Sequence, residues 1–172
     1  RRHGVTNAIE LAPGETLTSG SLTVRVAAAT HSGNRYVVDR WRKQANMYLI
    51  ATNYESVLFA GDTALANDSA QLVERALKGR RLDVALLPIG YAPGWKVGFS
   101  RGHLTSLDAL TLFEQLGARY LIPYHWGTFN HVTASAYDAI REMREHITTH
   151  VRGADVRILE PGESLQVASS AS

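Results

Sequence analysis

Apolar and polar positions along the chain predict an ordered series of strands and helices. Leu22, Val24 and Val26 alternate with Thr23 and Arg25, which predicts a half-buried strand over Leu22–Ala29. Residues 5–11 predict a short strand ahead of it, with a turn at Pro13–Gly14. Residues 47–52 and 56–60 predict two strands around Asn53–Tyr54–Glu55, a hairpin. The polar and aromatic stretch from His31 to Lys43 predicts a loop. Helical spacing follows at residues 69–78, where Leu72, Val73, Ala76 and Leu77 share a face and Gly79 marks the stop.

Residues 84–87 are a short apolar run closed by Pro88, and 119–124 are a second; both predict buried strands. Between them, residues 89–102 are rich in glycine and aromatics and predict a loop long enough to be functional. Thr105 is placed to cap a helix over Ser106–Leu116, which Gly117 ends. Residues 134–150 predict a last helix with Tyr137, Ile140, Met143 and Ile147 on one side. Residues 156–159 and 164–167 predict two closing strands around Pro161–Gly162. This order suits an α/β layered domain rather than a bundle or a pure sandwich.

Composition narrows the class. The chain has 172 residues, of which 45% are hydrophobic and 20% charged, the balance of one globular domain that can bury a core without staples. There are no cysteines, which excludes disulfides and thiolate metal sites and fits a cytoplasmic protein. Net charge is +2, and the basic clusters Arg40–Trp41–Arg42–Lys43 and Lys78–Gly79–Arg80–Arg81 are short. A nucleic-acid partner is not expected, because such binders carry a longer basic stripe with interleaved aromatics. No apolar run approaches the ~20 residues of a membrane span, and no signal peptide is visible. The start Arg1–Arg2–His3 reads as that of a chain cut from something longer or processed, and residues 168–172 as a frayed tail.

Three metal-competent side chains each sit just past an apolar run. His31 follows the strand at 22–29, Asp62 closes Leu58–Phe59–Ala60–Gly61, and His125 closes Leu121–Ile122–Pro123–Tyr124. A glycine before Asp62 lets the backbone turn sharply at a strand end. The carboxylate then serves as a metal ligand or caps the following helix. His125, flanked by aromatics and Gly127, suits a metal ligand or a partly buried structural histidine. His31 has the same setting, and the alternative for it is polar surface. His103 ends the glycine-rich loop, as a substrate contact, a proton donor, a neighbour of the metals or an exposed loop residue. His3 and His131 have no comparable setting, and His146 and His150 are read as dipole partners at a helix C-terminus.

Taken together, Thr30–His31–Ser32–Gly33–Asn34–Arg35, Leu58–Phe59–Ala60–Gly61–Asp62–Thr63, Asp83–Val84–Ala85–Leu86–Leu87–Pro88–Ile89–Gly90 and Ile122–Pro123–Tyr124–His125–Trp126–Gly127–Thr128–Phe129 resemble the metallo-β-lactamase-fold hydrolases. The resembling branch holds the N-acyl-phosphatidylethanolamine phospholipase D type and ascorbate-6-phosphate lactonase type enzymes. Gly102–His103–Leu104 and Leu116–Gly117–Ala118–Arg119 also fit it, so the likeness runs over roughly residues 11–129. It implies an αβ/βα sandwich with two metal ions, usually zinc, at one edge of two sheets. His31 would be the third histidine of one metal, Asp62 the bridging carboxylate and His125 the last histidine of the second metal. His103 would line the site, contacting the developing anion or protonating the leaving group.

The family's His-x-His-x-Asp-His motif is not present in this chain. Residues 1–172 therefore read as a single, partial domain, the C-terminal half of the αβ/βα metallo-β-lactamase sandwich. One sheet and its helices would be missing, leaving an apolar sheet face bare, which is untenable for a stable monomer. Either another chain or segment supplies the N-terminal half of the fold, or the chain pairs with itself. The resemblance implies a zinc-dependent hydrolase of an ester, lactone or phosphodiester bond when the fold is whole, with a small-molecule or lipid-like substrate. The isolated chain is expected to be inactive, because three ligands split between two cations fall below the usual three per catalytic zinc. The alternative is a non-catalytic binding or scaffold subunit. Trp41, Tyr91, Trp95, Phe99 and Trp126 either line an apolar pocket or pack the core, and Arg35, Arg40 and Arg42 leave an anionic substrate group open.

Overall fold

A computed structural model of the protein describes residues 7–31, 45–65, 68–91, 102–130 and 134–167. The loop at 32–44, most of the 89–102 loop, His3, His131 and the 168–172 tail lie outside the described residues.

Six strands form one mixed sheet in sequence order. They are β1 (Thr16–Ser19), β2 (Leu22–Ala29), β3 (Ala45–Ala51), β4 (Ser56–Phe59), β5 (Val84–Pro88) and β6 (Tyr120–Tyr124). The first four pair antiparallel and the last three parallel. The switch follows from the connections. Short turns join β1 to β2 and β3 to β4, whereas helices α1 (Ser69–Leu77) and α2 (Ser106–Leu116) carry the chain back between parallel neighbours. A consequence is that β2, β4, β5 and β6 all run the same way, so their C-terminal ends share one rim.

Local chemistry explains the elements. Thr105 Oγ1 accepts from the Asp108 N–H at 3.1 Å while the Asp108 carboxylate accepts from the Thr105 N–H, and Gly117 ends α2 in the left-handed conformation. Lys78 ends α1 in the same way. Leu49, Leu58, Ala85, Leu87 and Leu121 point to one face, where Val73 and Leu77 of α1, Leu110 and Phe113 of α2, and Ile140 and Met143 of α3 (Asp138–Thr149) bury them. The opposite face holds Tyr48, Ile50, Val57, Phe59, Leu86 and Ile122, aligned across the strands by their register. Among the described residues this face stays partly open, with Ile50 36% and Phe59 38% exposed.

Several predicted elements differ. Residues 7–12 form no strand, because pairing to β2 starts only at Gly14, whose N–H bonds the Val26 carbonyl. The polar edge strand β1 takes that place through a two-residue turn at Gly20–Ser21. Helix α3 starts at Asp138 rather than 134, since the Ala136 backbone is held by Gly127 and Asn130. Residues 156–167 meet the outer edge of β6 at a single bridge, Val156 to Leu121, and otherwise run without a ladder. Among the described residues no helix is long and apolar enough to cross a membrane.

Candidate metal centre

The shared rim collects the side chains singled out in the sequence. His31 lies just beyond β2, Asp62 beyond β4 and His125 beyond β6, while His103 approaches from the segment before α2. Gly61 makes the turn that aims Asp62. Its φ is +62°, and a Cβ there would stand 2.6 Å from the Asn46 carbonyl oxygen of β3, so only glycine fits. The loops are latched to one another. The Thr63 hydroxyl accepts from the Thr30 N–H at 3.0 Å, and the Ala64 N–H donates to the Thr30 carbonyl at 3.1 Å. His125 takes a left-handed φ of 75°, a strained choice for a residue with a side chain.

Asp62 is the hub. His103 Nδ1 lies 3.0 Å from Asp62 Oδ1, while His31 Nε2 and His125 Nε2 lie 3.6 and 3.7 Å from Oδ2. Helix α1 is preceded by Asp68, not Asp62, so the capping alternative for Asp62 falls away. The His125 ring is 51% exposed, with Nε2 facing Asp62. Burial pushes the Asp62 carboxyl upward. The His103 hydrogen bond and the charges of His103, His31 and His125 outweigh this and hold it below its ordinary value. Burial, then the nearby Asp62 charge, push the Tyr124 phenol well up, so it keeps its proton.

The donor chemistry suits a cation. His31 Nδ1 sits 2.8 Å from the Gly102 carbonyl, which can only accept, so Nδ1 carries a proton and Nε2 is the nitrogen turned toward Asp62, the one a cation would use. Separations of 3.6 and 3.7 Å are too long for hydrogen bonds. They are close to the spacing of about 3.3 Å that ligands about 2 Å from one tetrahedral zinc would show. His31, Asp62 and His103 offer donor atoms all within 4.8 Å of one another. His125 stands outside that group but reaches the same Asp62 oxygen.

Other predicted residues fall elsewhere. His150 Nε2 pairs with Glu114 at 3.2 Å and its Nδ1 accepts the Arg152 N–H, while His146 lies 3.9 Å from Glu142, so both belong to the α3 surface. Tyr91 and Trp126 pack against the core, and Trp126 Nε1 donates to the Pro123 carbonyl. Trp41, Trp95, Phe99, Arg35, Arg40 and Arg42 lie outside the described residues. Two contributors were not singled out, the Gly102 carbonyl and Tyr124, whose hydroxyl donates to the Gly61 carbonyl. Neither carries a sequence signal, because each acts across a gap of 60 or more positions.

Known proteins resemble this chain in sequence and in fold. A metal-dependent hydrolase of Heliobacterium modesticaldum is 31% identical over 144 residues, covering 83% of this chain and 55% of its own length. The mitochondrial N-acyl-phosphatidylethanolamine-hydrolyzing phospholipase D of Saccharomyces cerevisiae is 31% identical over 134 residues, covering 74% of this chain and 28% of its own. The chain thus spans little more than half of the first relative and less than a third of the second. Among solved structures, the metallo hydrolase Igni18 of Ignicoccus hospitalis superposes with a TM-score of 0.62 at 23% identity, over 91% of this chain and 59% of that one. An isothiocyanate hydrolase from Delia radicum gut bacteria gives 0.67 at 19% identity, over 93% and 59%. At such identities the two structures speak for the fold alone. The beta-lactamase superfamily domain model matches residues 1–126, and with the site geometry above this chain belongs to the metallo-β-lactamase superfamily.

Proposed function

We propose that this chain is the C-terminal half of a metal-dependent hydrolase that cleaves an ester, lactone or phosphodiester bond at a two-zinc centre. The observation that carries the reading is the placing of two imidazole Nε2 atoms 3.6 and 3.7 Å from one Asp62 oxygen. The metal-dependent hydrolases among its relatives support the same class. Bound zinc would supply Lewis acidity, making water nucleophilic near neutral pH and polarising the substrate oxygen.

The chain's own residues have separable tasks. Asp62, ionised at neutral pH, would be the carboxylate that holds both metal ions, and its Oδ1 is already tied to His103. His31 offers a neutral Nε2 whose direction the Gly102 carbonyl sets. His125 offers Nε2 from the end of β6. His103, held through Nδ1 against Asp62, would act through a protonated Nε2, meeting the substrate's developing anion or protonating the leaving group.

The partner is the N-terminal half of the same fold, carried on an adjoining segment or another chain. It would cover the open sheet face and add the ligands that the His-x-His-x-Asp-His motif brings. The test joins native mass spectrometry to turnover, with the chain alone and co-expressed with such a half. Aryl esters, a lactone and an aryl phosphodiester serve as substrates. The expected outcome is a two-part particle with about two zinc ions and metal-dependent turnover, and no turnover by the chain alone. Robust turnover by the chain alone would overturn the divided site. A metal-free, inactive two-part particle would make the chain a binding or scaffold subunit instead.

A further inference from the structure

The Tyr124 hydroxyl bonds the backbone of the very turn that aims Asp62. Tyr124 ends β6 and Phe59 ends β4, with β5 between them. The tyrosine ring nevertheless reaches past β5 and stacks on Phe59, with ring centroids 5.2 Å apart and planes 23° from parallel. From there its hydroxyl donates to the Gly61 carbonyl. On the other side the Asn46 carbonyl abuts the Gly61 Cα so closely that no Cβ fits. The Gly61–Asp62 peptide is thus held between a strand backbone and a phenol. Any rotation of that peptide would swing the Asp62 carboxylate, which at once bonds His103 through Oδ1 and stands 3.6 and 3.7 Å from His31 and His125 through Oδ2.

We propose that Tyr124 is a positioning residue that sets the Asp62 carboxylate through the Gly61 carbonyl and couples it to His125, its own neighbour on β6. The proposal rests on the reading of Asp62 as a metal ligand. The hydroxyl, rather than the ring, has this role: the ring already has a stacking partner, whereas the Gly61 carbonyl sits at a non-helical turn and accepts the hydroxyl's hydrogen bond. Groups that orient a ligand from behind usually change metal affinity by about 10- to 100-fold.

The test is a Co²⁺ titration of the 172-residue chain, followed by visible absorption and by the imidazole NMR signals of His31, His103 and His125. Tyr124→Phe keeps the ring and removes the hydroxyl. It should bind Co²⁺ about tenfold more weakly, with an altered ligand-field spectrum. Before any metal is added, its His103 imidazole signals should already be displaced. Phe59→Leu keeps the hydroxyl and removes the stacked ring, and should retain affinity within about twofold.

A Tyr124→Phe chain with wild-type affinity, spectrum and imidazole signals would overturn the proposal. So would a Phe59→Leu chain that loses as much as Tyr124→Phe, because packing would then be responsible. A Tyr124→Phe chain that no longer folds by circular dichroism would make the hydroxyl structural and also overturn it. If the wild-type chain shows no Co²⁺ effect at any of the three histidines, the metal-ligand reading itself fails. The metal-free imidazole signals would still report whether Tyr124 sets Asp62.

Discussion

The two faces of the one sheet differ in a way that neighbouring residues make plain. Leu49 and Leu58 point toward the helices and are almost fully buried, whereas Ile50 and Phe59, one position later on the same strands, are 36% and 38% exposed. Each pair is equally apolar. Strands that are apolar on both faces belong to layers covered on both sides, and here the described residues supply one cover. Among the described residues the helix-covered face forms the closed core, while the other face stays partly open. The metal-competent rim lies at the edge of both, because β2, β4 and β6 run the same way and deliver His31, Asp62 and His125 there.

The strongest contrast should come from the covered face. Leu58→Ala removes a side chain with no exposure at all and should cost about 2–5 kcal/mol, read as a fall in the urea midpoint of the chain. At the rim, Asp62→Asn should weaken Co²⁺ binding by about 100-fold or more, with far smaller change in the urea midpoint. Equal losses in both measurements would mean that Asp62 is structural. On the open face, Ile50→Ser should change the stability of the isolated chain by less than about 1 kcal/mol, yet reduce recovery of the two-part particle. A loss as large as that of Leu58→Ala would show that the open face is covered within this chain.

The smallest effect is a pH dependence confined to the rim. The folded Asp62 carboxyl titrates below its ordinary value of 3.8. Its ionisation therefore stabilises the metal-free fold above that pH, and the contribution is lost as pH falls through the lowered folded value. Asp62→Asn should flatten this part of the acid limb, whereas Leu58→Ala should shift the whole curve without changing its shape. Acid unfolding of the three chains, followed by circular dichroism, checks it.

Much of the framework was legible in the residues. The β3–β4 hairpin, the start of α2 at Thr105 and its stop at Gly117 follow from short-range sterics and hydrogen bonds within a few positions. The strand-end placing of His31, Asp62 and His125 followed the same logic. What was misread depends on partners. The polar strand β1 has no alternation to announce it and exists because β2 offers an edge. Residues 156–159 and 164–167 have strand-like composition but form a single bridge, at Val156, and no ladder. Helix α3 lost its first predicted turn because Gly127 and Asn130 bind the Ala136 backbone.

At the site the division is similar. Which side chains carry metal-competent chemistry, and that they sit at strand ends, could be read along the chain, since residue type and strand period are local properties. That His103 bonds Asp62, that the Gly102 carbonyl sets the His31 ring and that Tyr124 holds Gly61 are contacts between segments 41, 71 and 63 positions apart. They depend on the parallel register of β4, β5 and β6 and on the loops that register brings together. Register is decided when distant strands dock, by the side chains they bury in common, and no stretch of neighbouring residues contains that information.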